Sequence, residues 1–431
     1  MALTHRVVWL LLIGAVPVVL RPSVGTVWLW VALVAALVAL DLLLAPTPAG
    51  LEVARPVRTT RVRLGERAQT EIVIANPTGR GVRGLVRDAW PPSAGQRERG
   101  QSLHIPPGER VRVVTHFLPT RRGDRHADRV TIRLRGPLGL AARQSSIEVP
   151  GVLRVLHPFG ARRHIPSKLA ALRQLDGRAA LRTRGQGTEF DSLRDYVDGD
   201  DVRSLDWRAT ARRQHPVVRT WRPEEQRRVI IVIDTSRTSA GRIGDVPRLD
   251  AGMDAALLLV ALAGHARDRV HIIAGDRQVH ARITGHDRAE LLSAAVDALA
   301  DVEPSLVEAD WSALASEVAQ ASSQRGLVVL ITPLEPSAIE EGLLPVLPAL
   351  AARHRVVLAS VSDPELGRMS AQRDTLAEVY DAVAAERTTQ LREATAAGLR
   401  RIGVSVIEGD PDSLPPQLAD HYLALKSHGL L

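Results

Sequence analysis

The chain has 431 residues, enough for two or three domains, and 45% hydrophobic with 24% charged residues is the composition of a folded protein. It contains no cysteine, which excludes disulfides, zinc–thiolate sites, iron–sulfur clusters and thiol catalysis. The formal charge of +8 is almost all arginine, and aromatics make up only 3% of residues, so it points to a basic surface near a membrane and not to nucleic-acid binding.

The first elements in chain order are two uncharged runs, Val7 to Leu20 (VVWLLLIGAVPVVL) and Val24 to Leu40 (VGTVWLWVALVAALVAL). Only Arg21-Pro22-Ser23 separates them, and no small-x-small cleavage site lies between, which argues against a signal peptide. The second run reaches spanning length if Leu42 to Leu44 extend it past Asp41. The pattern predicts a transmembrane helical hairpin within residues 1–48, with helices over about 7–20 and 24–44. Trp9 and Trp28 lie near the ends of the spans, where amphipathic rings settle. Arg6 precedes the pair, and Arg55, Arg58, Arg61, Arg63 and Arg67 follow it, against a lone Arg21 in the turn. The positive-inside rule then places everything after residue 48 in the cytoplasm, and Pro46 and Pro48 end the second helix.

Residues 49–158 switch to short alternating runs with turn signals roughly every ten residues, which predicts an antiparallel β-sandwich. His104, His116 and His126 are scattered and form no metal pattern, and GRGVRG is not followed by a helix, so no phosphate loop is predicted.

Residues 159–227 form a junction dominated by GTEFDSLRDYVDGDDVRSLDWRATARR, residues 187–213. Glu189, Asp191, Asp195, Asp198, Asp200, Asp201 and Asp206 alternate there with Arg194, Arg203, Arg208, Arg212 and Arg213. One reading is a metal-dependent hydrolase using Glu189, Asp191 and Asp200. The favoured reading is a salt-bridged network or interaction surface of Asp191, Arg194, Tyr196, Gly199, Asp200, Asp201, Arg203, Asp206, Trp207 and Arg212. In it Tyr196 and Trp207 supply apolar bodies to pack beneath the charges, and Gly199 makes a turn. No nucleophile–base pair accompanies the cluster, since the nearest downstream histidine is His215, next to Pro216, so no catalytic residue is assigned.

From residue 228 to 431 apolar strands alternate with helices. VIIVIDTS, RVHIIAGD, GLVVLITPL, RVVLASVSD and GVSVIEG read as strands. Helices are predicted over 248–268, 287–299, 337–354 and 375–402. Strands apolar throughout imply a doubly wound parallel sheet covered on both faces, with ligands bound beyond the carboxyl ends of the strands. The first strand ends in Asp234-Thr235-Ser236-Arg237-Thr238. Asp234, Ser236 and Thr238 at alternate positions supply hard oxygen ligands suited to magnesium or manganese. The alternative is a carboxylate that only caps the strand end.

Asp234-x-Ser236-x-Thr238 after VIIVI, followed by a buried helix, resembles the opening of a von Willebrand factor type A domain, whose metal-ion-dependent adhesion site carries D-x-S-x-S there. The 187–213 stretch, then VRTWRPEEQRRVIIVIDTS, the apolar N-terminus and RGPLGL resemble the bacterial domain of unknown function 58 family over essentially the whole chain. Two positions depart from an intact adhesion site: Ala309 precedes Asp310 where a threonine is usual, and Thr332-Pro333-Leu334 replaces a usual TDG. Thr284 is a candidate replacement for the missing threonine. The resemblance implies a multi-pass protein of the bacterial inner membrane with its soluble domains in the cytoplasm. It further implies an adaptor working with a MoxR-type AAA+ ATPase in protein maturation or assembly; the lack of a catalytic constellation predicts no activity of its own, and the composition predicts no nucleic-acid partner.

Overall fold

The computed structural model describes residues 2–182, 189–198, 200–222, 227–285 and 288–431, and their side chains outside 176–192, 220–222 and 288. The chain divides into two compact units, Met1–Pro158 and Phe159–Leu431.

In the first unit, α1 (His5–Ile13) and α2 (Ala15–Leu20) lie against α3 (Val24–Leu44). The break between α1 and α2 follows from Pro17, which has no N–H for the Ile13 carbonyl four residues earlier. Gly14 at the break lets the helices meet closely, since a Cβ there would stand 2.2 Å from the Trp30 ring. The Trp30 indole donates to the Leu10 carbonyl at 3.1 Å. Helix α3 is long and apolar enough to cross a membrane, with a mean hydropathy of 2.5, whereas His5–Leu20 is a shorter apolar segment. Most large apolar side chains of these helices point outward, Trp9 and Trp28 among them.

Residues 52–156 form three sheets. One has five strands in the spatial order Ala2–Leu3, Ala141–Ile147, Val130–Arg135, Val82–Asp88 and Gln101–Ile105, all antiparallel. A second is the antiparallel set Glu52–Ala54, Ala68–Ala75 and Arg110–Phe117. The third pairs Val152–Leu156 in parallel with Thr59–Arg63 and antiparallel with Gly123–His126, a parallel contact the sequence pattern did not predict. Alternate residues such as Ile72, Ile74, Ile132 and Leu134 fill the core. Arg55, counted above among the flanking surface charges, is buried. It pairs with Asp88 at 2.8 Å and lies over the Trp90 ring.

Both ends of the helical pair meet one turn, residues 136–140. Ala2–Leu3 extends the five-stranded sheet at its edge, and the Thr4 N–H donates to the Leu140 carbonyl. At the other end Asp41, fully buried near the end of α3, accepts from the N–H groups of Leu138, Leu140 and Ala141, each at 2.7 Å. Gly136 makes room for it, because a Cβ there would fall 2.3 Å from the Asp41 carboxylate. RGPLGL is therefore the receptor for the end of α3.

In the second unit, α4 (Ile165–Arg182) precedes a two-stranded ribbon of β1 (Glu189–Asp195) and β2 (Val217–Arg222), with α5 (Trp207–Arg213) between them. The main sheet contains β3 (Arg228–Asp234), β4 (Arg269–Gly275), β5 (Val279–Ile283), β6 (Leu327–Ile331), β7 (Arg355–Val361) and β8 (Ser405–Gly409). Their spatial order is β5-β4-β3-β6-β7-β8. All neighbours are parallel except β5, an antiparallel edge strand that the sequence reading missed in the short run VHARI.

Helix α6 (Arg248–His265) is buried along nearly its whole length, because the sheet covers one side and α4 and Leu414–Ser427 cover others. The helix predicted over 337–354 is broken into Pro336–Ala338, a π-helical turn Ile339–Leu343 and Leu347–Arg353. Pro345, lacking an N–H, interrupts the hydrogen-bond ladder there. The helix predicted over 375–402 is Leu376–Arg401, opened by a Thr375–Glu378 capping box.

Asp41→Ala would leave three N–H groups without an acceptor, those of Leu140 and Ala141 buried and that of Leu138 partly so. It is expected to destabilise the first unit by about 3 kcal/mol and to speed hydrogen exchange at Leu138, Leu140 and Ala141. Thermal unfolding of the full chain in micelles, with exchange read by mass spectrometry, checks this. An unchanged midpoint and unchanged protection would contradict the role given to Asp41.

Candidate functional site

The sheet order reverses direction at β3: β4 lies on one side and β6 on the other. The chain leaves β3 and β6 in different directions there, opening a crevice beyond their carboxyl ends. Asp234 is the last residue of β3 and Thr332 follows the last residue of β6.

The Asp234 carboxylate is 2% exposed. Its Oδ1 accepts from the Ser236 N–H at 2.8 Å. Its Oδ2 accepts from the Thr238 hydroxyl at 3.1 Å and the Thr332 hydroxyl at 2.7 Å. The Ser236 and Thr238 hydroxyls lie 3.1 Å apart. Burial pushes the Asp234 carboxyl above its ordinary value, and the hydrogen bonds from Thr332, Ser236 and Thr238 only partly oppose it. A pocket of about 250 Å³ opens beside these groups, with Glu308, Trp311 and Glu341 on its walls.

The turn that follows β3 collects the three side chains, with the Ser239 N–H donating to the Ser236 carbonyl and the Ala240 N–H to that of Arg237. Asp234, Ser236 and Thr238 face the pocket, while Thr235 turns the other way and donates to Asp276 at 2.9 Å. Asp276, just after β4, braces the loop from behind. It accepts from the Ser305 hydroxyl at 2.6 Å and from the N–H groups of Arg277 and Gln278, and meets the His280 ring at 2.8 Å. Burial works to raise the Asp276 carboxyl, but these hydrogen bonds win and hold it well below the usual carboxylate range. Arg237 pairs with Glu308, and its N–H donates to the Val307 carbonyl at 2.8 Å, which ties the loop to the segment before α7 (Trp311–Ala321).

The positions where the sequence departs from an intact adhesion site resolve differently. Asp310 caps α7 through the Ala313 N–H, and Ala309 lines the pocket without a hydroxyl. Thr284 follows β5 and is not a lining residue. The third hydroxyl comes from Thr332, a residue the sequence reading met only as part of a departure. Its place after the apolar strand GLVVLI was the available signal. Among the described residues no group of three or more His, Asp or Glu could hold a metal ion.

The described residues of the 187–213 stretch lie on β1, on α5 and on the segment between them. Arg194 forks onto Asp200 at 2.8 and 2.6 Å, and the Val197 N–H adds a third bond. That pairing with Arg194, then Val197, lowers the Asp200 carboxyl. Asp206 caps α5 through the N–H groups of Arg208 and Ala209 and pairs with Arg219 at 2.7 Å. Its carboxyl is lowered first by the Ala209 N–H and then by Arg219. Asp201 accepts from the Arg203 N–H, and Asp195 meets His215 at 2.8 Å. Tyr196 is half-buried, but Trp207 is 70% exposed and does not pack beneath the charges as the sequence reading expected. It is the first residue of α5, on the outward side of that helix. Gly199 and the side chains of Glu189 and Asp191 lie outside the described residues.

Residues 192–401 match the family described as protein of unknown function DUF58, so the chain carries a domain of that family. Uncharacterized protein Rv1480 of Mycobacterium tuberculosis and uncharacterized protein Mb1516 of Mycobacterium bovis are each 27% identical over 188 residues, 42% of this chain. Those matches cover 56% of each relative, so the chain spans little more than half the length of the curated relatives it matches. Among solved structures, the ASH/PapD-like domain 7 of human CEP192 is 13% identical, with a TM-score of 0.21 over 26% of this chain and 87% of that one. The C. elegans MSP family member WR4 is 10% identical, with a TM-score of 0.19 over 25% of this chain and 97% of that one. Scores this low carry no argument about the fold.

A carboxyl raised above its ordinary value binds its proton more tightly in the folded chain than in the unfolded one. Folding is therefore favoured at pH below the ordinary carboxyl value and penalised as pH climbs through the raised one. Asp234→Asn removes the buried charge and keeps the shape. At pH 7 its thermal midpoint is expected to rise by about 2–4 °C, the scale of about 1 kcal/mol in a domain of this size. A lower midpoint than wild type at pH 7 would show that the carboxylate is compensated after all.

Proposed function

We propose that this chain, which carries a DUF58 domain, is a membrane-anchored protein-interaction module. In this reading α1 to α3 form a transmembrane hairpin in the bacterial inner membrane, with the soluble parts in the cytoplasm. The sheets of residues 52–156 act as a sandwich-like spacer. The second unit works as a von Willebrand factor type A-like domain that engages a MoxR-type AAA+ ATPase in maturation or assembly of other proteins. The family resemblance supplies the partner, and the positive charge after α3 supplies the orientation.

The observation that carries the reading is Asp234. It is a buried carboxylate with no cationic partner among the described residues, ringed by hydroxyls and set beside a pocket at the crevice of a parallel sheet. Natural chains seldom leave such a group unpaired unless it serves binding. Magnesium or manganese fits this donor set, and Asp234, Ser236, Thr238 and Thr332 would hold it, all hard oxygens. A bound ion would supply a Lewis-acidic position for a carboxylate of the partner. The chain's own residues do the rest: Asp276 fixes the loop, and Thr332 orients the Asp234 carboxylate. A hydrolytic use of the 187–213 carboxylates has less behind it, because Asp200 is clasped by Arg194.

Affinity capture of the full-length protein from gently solubilised membranes tests the proposal, with wild type beside Asp234→Ala, each in magnesium and in chelator. The AAA+ ATPase is expected with wild type in magnesium and is expected to fall at least about tenfold in the other samples, a loss of about 1.4 kcal/mol or more. Retention of the ATPase in every sample would remove the metal from the proposal. Absence of any specific partner would overturn the adaptor reading.

A further inference from the structure

Helix α5 uses its two sides differently. Its inner side belongs to the ribbon: Asp206 caps it, and the Thr210 hydroxyl accepts from the Val217 N–H at 3.1 Å. Its outer side is a surface of two adjacent i,i+4 rows, Trp207 with Ala211 and Arg208 with Arg212, all exposed. Exposed Val202 and Arg203 lie just before it in the chain, and Arg213 closes it.

Three of the carboxylates near this face are used elsewhere. Asp206 turns to Arg219 and the helix amides, Asp200 to Arg194, and Asp195 to His215. Among the described residues Arg203, Arg208, Arg212 and Arg213 form no ion pair. The segment thus uses Asp195, Asp200 and Asp206 for its own architecture and leaves these four arginines, with a tryptophan, exposed. Tryptophan and arginine are the side chains that carry most energy when a partner covers them.

The kind of partner follows from the other charges on the segment. Exposed Asp195, Asp198 and Asp201 lie on the turn that His215 ties to the end of α5. A polyanion, whether nucleic acid or an anionic bilayer, would meet repulsion from that turn. A protein segment with carboxylates beside an apolar side chain would not, because it can set its acids on the arginines alone.

We propose that the outer face of α5 (Trp207, Arg208, Ala211 and Arg212) docks an acidic, partly apolar segment of a protein partner. This rests on the interaction-module reading and adds a contact separate from the Asp234 pocket. The carboxylates of the segment pair with Arg208 and Arg212, and its apolar side chain covers the Trp207 ring.

The test places a photo-crosslinking amino acid at Ala211 in the full-length protein in its own membrane, and a second at Glu341 on the Asp234 pocket. Crosslinked products are mapped by mass spectrometry. The expected Ala211 product is a protein segment rich in aspartate and glutamate. Its yield should fall at least about tenfold in the Arg208→Glu/Arg212→Glu double variant and several-fold in about 0.5 M salt. Both side chains are exposed and form no ion pair among the described residues, so the variant should keep the wild-type thermal midpoint, which is measured alongside. Crosslinks to lipid, to nucleic acid or to this chain itself would overturn the proposal, as would a yield indifferent to charge reversal or no product at all. A partner crosslinked from Glu341 with none from Ala211 overturns the α5 surface alone and leaves the adaptor reading standing. Silence at both positions counts against both.

Discussion

A carboxylate taken out of water must be given donors or a cation, and much of this protein is arranged around that constraint. Among the described residues five aspartates are buried: Asp41, Asp88, Asp234, Asp268 and Asp276. Asp41 takes three amides, and Asp88 takes the Arg55 guanidinium and the Trp90 indole. Asp268 takes Lys426 and Tyr422, and Asp276 takes two hydroxyls, two amides and the His280 ring. Asp234 receives one amide and two hydroxyls and sits beside the pocket. The first four carboxylates tie together segments distant in sequence. The fifth is the least compensated, which is why it marks the site.

The same constraint joins the apolar helices to the β-sheets of the first unit. An apolar helix ending in an unpaired carboxylate would be free to swing. Asp41 instead reads the amides of a turn about a hundred residues later in the chain, and the N-terminal strand pairs with the sheet beside that turn. Entry to and exit from the helical pair are therefore fixed to one structural element, so that a force on the sheets is transmitted to the helices without slack.

In the signature segment charge is sorted. Bidentate and capping contacts hold Asp200 and Asp206 against the ribbon, Asp195, Asp198 and Asp201 stay exposed on the turn, and the arginines of α5 face outward. A sequence rich in both signs so becomes a surface with a basic helix next to an acidic turn, a patterning that selects partners by complementarity more than by strength.

Much of this was legible in the chain. The apolar run from Val24 to Leu40 is long, uncharged and preceded by turn residues, so most of the helix Val24–Leu44 is read directly. The parallel strands of the main sheet are largely apolar runs, and the D-x-S-x-T string at the end of the first of them marks Asp234, Ser236 and Thr238 as a set of oxygen donors, which a turn over residues 236–240 brings together. What the residues could not give was each side chain's distant partner. That Thr332 donates to Asp234, that Asp41 fits the glycine turn at 136–140, that Arg55 is buried and that Trp207 is bare are contacts between positions up to about a hundred residues apart. The edge strand Val279–Ile283 and the broken helix near Pro345 were lost because their local signals are only a few residues long. Local pattern is set by the backbone's own periodicity and by which side chains avoid water. The pairing of a buried charge is set by where the folded chain brings its donors, and only the tertiary structure decides that.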